Sequence, residues 1–205
     1  IGGSVKNSYN TGAVSGGEEV GGVVGYNIDS VTNCYNTGTV TGSSDNNVGG
    51  VVGYNYIGSV TNCYNTGEVS GNSKVGGVVG NNEDGPVTNC YNTGSVSGGS
   101  SKGGVVGANS GSNTTVTGCY FLQQNGVPAQ GIGEGSGDAT AKDNTAFHSG
   151  EVAYLLQSKQ TDESGLVWGQ TLGGEEDSLP TLVALNPAVV NELLQGLFCP
   201  VAVNV

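Results

Sequence analysis

Arginine is missing from this chain altogether, histidine occurs once, at His148, and tryptophan once, at Trp168. A single histidine excludes His-Glu-x-x-His zinc chemistry and any multi-histidine metal site within these residues. A Ser-His-Asp triad is disfavoured because no Gly-x-Ser-x-Gly elbow precedes a helix, and His148 reads as a surface or capping residue. Five lysines stand against 17 Asp and Glu, a net charge of −12. Such a chain is a poor partner for nucleic acid or anionic membrane. No apolar run reaches the roughly 18 residues of a membrane span, so no membrane insertion is expected. Before residue 145 no segment keeps a 3.6-residue apolar period long enough for a helix. Helical solenoids are thereby disfavoured.

What the chain has in abundance is repetition. Tyr9, Tyr35, Tyr64, Tyr91 and Tyr120 are separated by 26, 29, 27 and 29 residues. Val31 to Gly42, Val60 to Gly71 and Val87 to Gly98 are gap-free copies, and a weaker one runs from Val5 to Gly16 with Ser8 in place of Cys34, Cys63 and Cys90. Length varies at two places only: before each Gly-Gly-Val-Val-Gly box, and after Asn27, Asn55, Asn82 and Asn109. Turns of a stacked coil tolerate insertions at fixed points, whereas a slip within the strands would turn every side chain to the wrong face. Val, Thr, Tyr and Cys favour strand, with Gly and Asn as punctuation.

These observations predict an all-β fold: a parallel β-solenoid (β-helix) of about 27–29-residue repeats with a small mixed α/β C-terminal cap. Each repeat position then becomes a column. Val31, Val60, Val87 and Val116 form one interior column, Val40, Val69 and Val96 a second, Val51, Val78 and Val105 a third. The glycine pairs, such as Gly49 and Gly50, allow a bend or a backbone approach that a Cβ would block. Asn33, Asn62 and Asn89 are expected as an amide ladder at a corner, since Asn tolerates the left-handed conformation. The faces of Cys34 and Tyr35 stay open. Val31 and Cys34 are three apart, and a flat strand would put them on opposite sides unless it bends near Asn33.

Cysteine totals five: Cys34, Cys63, Cys90 and Cys119 at one repeat position, and Cys199 far away. An odd total cannot pair completely within the chain. Spacings of 29, 27 and 29 residues do not fit the short intervals of a structural zinc site. Parallel, in-register Cβ vectors do not point at one another as a disulfide requires. A column of buried free thiols is the expected arrangement. The acids Glu18, Glu19, Asp29, Asp45, Glu68, Glu83 and Asp84 are scattered over turns rather than paired for glycoside chemistry. Glu83 and Asp84 read as solvated turn charges in preference to a weak calcium site.

Gly-Gly-Val-Val-Gly-Tyr-Asn, a short turn, then Val-Thr-Asn-Cys-Tyr-Asn-Thr-Gly resembles the GLUG motif over about residues 1 to 120. That motif is found in large secreted bacterial proteins, including adhesin-like surface proteins and non-catalytic portions of IgA-cleaving metallopeptidases. A looser resemblance, to the end of such repeat regions, covers Ser149 to Leu182. The resemblance implies an extracellular or cell-surface location and a repeat scaffold, and it carries over no ligand or active site.

Beyond Tyr120 the repeat dissolves, giving a solenoid over 1–121, a loop over 122–144 and a capping region over 145–205. Within the last, Ser149 is expected to cap a helix through Gln157 with Val152, Leu155 and Leu156 on one side. Pro187 to Phe198 is a second amphipathic candidate, with Val190, Leu194 and Leu197 on its stripe, and Trp168 is expected to help cover the last turn. The chain opens at Ile1 within a repeat, and upstream repeats of a longer polypeptide are expected. The functional expectation is a structural or adhesive module of a secreted or cell-surface bacterial protein. It is read as no enzyme, with no catalytic, cofactor or metal residues and no cofactor. Host or cell-surface proteins or glycans are its expected partners. The alternative is a carbohydrate-active enzyme or an accessory region of a secreted peptidase.

Overall fold

The computed structural model describes residues 3–43, 47–124, 126–160, 165–172 and 178–185. The chain divides into two units, Ile1–Asn144 and Thr145–Val205. The first is a parallel β-solenoid. One repeat visits five short strands, and each joins its counterpart in the next repeat, so five sheets run along the coil. In the second repeat these strands are Ser30–Thr32, Tyr35–Asn36, Val40–Gly42, Asn47–Gly49 and Val52–Tyr56. Every pairing between turns is parallel and in register, as in Val60 with Val31 and Val87, or Tyr64 with Tyr35 and Tyr91. The stretch between the last two sheets is bonded too: Val51 N–H donates to Val78 C=O at 2.9 Å, and Val78 N–H to Val105 C=O at 2.8 Å.

The columns sit inside. Val31, Val60, Val87 and Val116 join Val51, Val78, Val105 and the four repeat cysteines in one apolar cluster, while Val40, Val69 and Val96 join Val20, Val48 and Val75 in another. Lys102 occupies the next position in register after Val75, and it is exposed. It ends that valine column on the last strand of its sheet, where a charge discourages further pairing.

Asn33 explains how Val31 and Cys34 both reach the interior. Its φ is 54°, and Asn62 and Asn89 repeat the value at 54° and 53°. The left-handed corner resets the two-residue alternation, turning Cys34 inward beside Val31 and Tyr35 to the opposite side. Of the expected amide ladder here, Asn33 Nδ2 donates to Asn7 Oδ1 at 3.2 Å. The glycine pairs are close-approach sites. A Cβ on Gly49 would lie 1.9 Å from Val52 O, and one on Gly50 2.1 Å from Gly77 O and 2.4 Å from the Asn65 side chain.

Residues 122–144, expected as loop, carry two more strands. Ile132–Glu134 pairs with the Val106–Ser110 strand, and Ala139–Lys142 with Cys119–Leu122, both in parallel. Exposed strand edges recruit any chain that can present backbone N–H and C=O groups, so pairing outlasts the side-chain motif.

The second unit contains helices Asn144–His148, which begins at the boundary, and Glu151–Ser158, and an antiparallel pair, Trp168–Gly169 with Thr181–Leu182. The longer helix starts at Gly150, at φ 88°, rather than at the expected Ser149, and it has no side-chain cap. Val152, Ala153 and Leu156 are its buried residues, and Leu155 is half-buried. Trp168 is fully buried. The Pro187 to Phe198 stripe, with Val190, Leu194 and Leu197, lies outside the described residues, as do Asp45 and Cys199. Among the described residues no helix is long and apolar enough to cross a membrane.

A candidate binding face on the variable turns

Two asparagines of each central repeat are consumed inside the coil, such as Asn36 and Asn55. Asn10, Asn36, Asn65 and Asn92 form an amide ladder, each Nδ2 donating to the next Oδ1 at 2.8, 2.8 and 2.9 Å. Asn65 also donates to Gly67 O at 2.7 Å and accepts from Gly67 N–H at 3.2 Å, so this buried amide is well satisfied. Phe121 takes the next position in register after Asn92 and ends the row. A second ladder joins Asn27, Asn55, Asn82 and Asn109 at 2.6, 2.6 and 2.7 Å. The first of these ladders was not recognised in the sequence. Its signal was there, an Asn following Tyr in each of four repeats.

The thiol column is equally inward-looking. Cys34, Cys63, Cys90 and Cys119 are buried and unbridged, and each Sγ donates to the carbonyl two residues back at 3.2 to 3.4 Å. The Cys34 thiol is held well above its usual range by its hydrogen bond with Cys63 and then by burial. Cys90 is raised by burial and then by its thiol neighbours. Protonated, buried thiols are poor nucleophiles.

The acids do not converge. Glu18 and Glu68 are exposed on turns flanking the third sheet, and Glu19 is half-buried. Asp29 accepts from Ser30 N–H at 2.8 Å, and Asp84 from Asn113 N–H at 2.9 Å. Among the described residues, no three His, Cys, Asp or Glu side chains come close enough to hold a metal ion. His148 is half-buried in the short helix of the second unit.

One surface differs. After each ladder asparagine of the fifth sheet the chain makes its variable turn, and there Ile28 is 40% exposed, Tyr56 38% and Ile57 57%. Tyr26 and Tyr54, in register on adjacent strands, lie beside them. The Tyr26 and Tyr54 rings meet edge to face, at 5.2 Å and 88°, and Tyr56 lies 6.5 Å from Tyr26 and 6.1 Å from Tyr54. Tyr54 Oη donates to Glu83 Oε2, which orients ring and carboxylate together. Burial, then that hydrogen bond, raises the Tyr54 phenol above its ordinary range, so it stays a donor. This face escaped sequence reading because it sits where the repeat changes length. The signal was two isoleucines and a second tyrosine in turns otherwise made of Gly, Pro and polar or acidic residues.

Comparison with known proteins agrees with this geometry. The family model described as "The GLUG motif" matches residues 16–41, 44–70 and 71–97. Three GLUG motif repeats lie within residues 16–97 of the coil. Each match contains one glycine box and one Val-Thr-Asn-Cys-Tyr-Asn or equivalent segment, or the parts flanking them, so the GLUG period and the structural turn coincide. No curated protein matches the chain. Among solved structures, the chain is similar to a "putative immunoglobulin A1 protease" from Bacteroides ovatus, with TM-score 0.63 and 21% identity. The match covers 89% of this chain and 58% of that one. At that identity the likeness concerns the fold.

Proposed function

We propose that this GLUG coil is a structural and adhesive module of a secreted or cell-surface protein, a stiff spacer that presents a binding face on its variable turns. The observation that carries this reading is the division of labour within one repeat. The two asparagine ladders, the Cys column and most Val columns lie inside the coil, whereas Tyr56, Ile57 and Ile28 are held out to solvent by turns the scaffold leaves free. Loops on a rigid frame are where binding residues concentrate. The Bacteroides ovatus likeness supports a second setting for the same module, as a non-catalytic region of a larger secreted peptidase. A carbohydrate-active enzyme is less well supported, because Glu18, Glu68 and Glu83 stand on separate turns or sheets.

The test is accessibility on intact cells that make the protein. Antibodies raised against the folded chain should label unpermeabilised cells or the culture medium. Labelling confined to lysed cells would overturn the surface reading.

A further inference from the structure

Three features that cost folding free energy meet on the face formed by Tyr26, Tyr54, Tyr56, Ile28, Ile57 and Glu83. The first is exposure of apolar side chains. Apart from Tyr9 and Tyr154, the exposed large hydrophobics among the described residues are Ile28, Tyr56 and Ile57. The second is backbone strain at Ile57, whose φ is 56°. The next two turns reach a left-handed conformation at the corresponding place with Asp84, φ 56°, and Gly111, φ 100°. Asp and Gly tolerate that region, whereas a β-branched residue there is an outlier. The third is Asn81, in register with Tyr54, whose buried Oδ1 has no hydrogen-bond partner. Strain and unsatisfied polar groups persist where something outside the fold uses them.

We infer that this face binds a neutral glycan, stacking the C–H side of one or two sugar rings on the tyrosines while ring hydroxyls donate to Glu83 and neighbouring acceptors. The inference rests on the adhesive reading and names its ligand class. Size favours a small ligand. At about 150–250 Å² per aromatic side chain, the exposed fractions of these residues add up to a few hundred Å². A stable protein interface needs about 800 Å² per partner. Amphipathic rings beside oriented polar groups match a sugar, which has an apolar face and a hydroxyl rim. Charge sets the sign. Glu83, Asp84 and Asp29 all lie on these turns, and the net charge is −12, so uronic or sulfated glycans are repelled.

The experiment is calorimetric titration of the full chain with cellohexaose, chitohexaose and mannohexaose, with polygalacturonate and a decaproline peptide as contrasts. At least one neutral oligosaccharide should bind, polygalacturonate and decaproline should not, and Tyr56→Ala should weaken the binding about tenfold or more. Ile57→Asp restores the residue type of the next turn. It should raise Tm by about 2–4 °C while also weakening sugar binding. The proposal is overturned if none of the three oligosaccharides binds at millimolar concentration, if Tyr56→Ala or Ile57→Asp binds like the parent, or if polygalacturonate or decaproline is the preferred ligand. Surface labelling of cells does not depend on any of these results, so failure of the ligand class and failure of the adhesive reading are separable.

Discussion

The tyrosines Tyr9, Tyr35, Tyr64 and Tyr91 and the tyrosines Tyr26, Tyr54 and Tyr56 are the same residue on the same kind of parallel strand, yet they behave differently. In the first set the rings stack 5.1, 4.8 and 4.9 Å apart with interplanar angles of 6°, 7° and 2°. Those intervals are the spacing of paired strands. In the second set Tyr26 and Tyr54 are also in register but meet at 88°, and the column stops at Asn81. A position repeated in every turn becomes a continuous stack that the coil absorbs; Tyr91 is fully buried. A position repeated only twice has no third tyrosine to continue the stack and fix its ring plane. Repetition itself thus decides which residues serve the scaffold.

That contrast can be broken most severely from beneath. Val78→Asp would bury a carboxylate within a fully apolar column, a cost of at least about 4–5 kcal/mol. The cooperative urea transition of the coil should disappear; an unchanged midpoint would refute the column. Next in size, Tyr91→Ala removes a ring from the middle of the stack and should destabilise by about 3–5 kcal/mol. A loss below about 1 kcal/mol would mean that the stack is ornamental.

Alkali gives a smaller and more graded test. Burial, then the neighbouring ring, raises the Tyr64 and Tyr91 phenols above the ordinary value of 10.0. The fold therefore retains protons that the unfolded chain releases above that pH. Their stabilising contribution is complete below about pH 10 and declines as pH rises through the folded-state values. Urea midpoints should be flat from pH 7 to about 9 and fall above about 10, with a shallower fall for Tyr91→Phe. A midpoint that rises with pH would reverse the assigned sign. Smallest of all, Tyr56→Ala should change stability by no more than about 0.5 kcal/mol, because its ring already faces solvent. A loss comparable with that of Tyr91→Ala would erase the distinction between the two sets.

The valine columns were legible in the sequence because Val31, Val60 and Val87 fall at equal places in gap-free copies. So was the corner at Asn33, with a bend there named as the way to bring Val31 and Cys34 to one face; the faces of Cys34 and Tyr35 stayed open because only the left-handed φ of 54° shows that the alternation is reset. Ile132–Glu134 and Ala139–Lys142 were missed for a different reason. Ile132–Glu134 keeps only a remnant of the glycine box, with Ile132 in register with Val106, and Ala139–Lys142 carries no Val-Thr-Asn-Cys-Tyr-Asn segment; backbone pairing to an existing edge needs neither. At Gly150 the helix start is set by backbone geometry at φ 88° rather than by the neighbouring Ser149 hydroxyl. The tyrosine and isoleucine face was hidden because alignment discards the segments where repeats differ, and those segments are the ones the coil leaves free.

The two asparagine ladders give the coil an electrical direction. In both, every Nδ2 points to the Oδ1 of the following turn, and the second ladder is continued by Asn109 donating to Ser136 O. Aligned amides polarise one another, as hydrogen-bond chains do. The two rows add because they run the same way, carrying partial positive charge toward the C-terminal end of the stack and partial negative charge toward the start. A turn inserted upside down would face donor with donor and acceptor with acceptor. Growth of such a stack is therefore vectorial, and a repeat can join it in one orientation only.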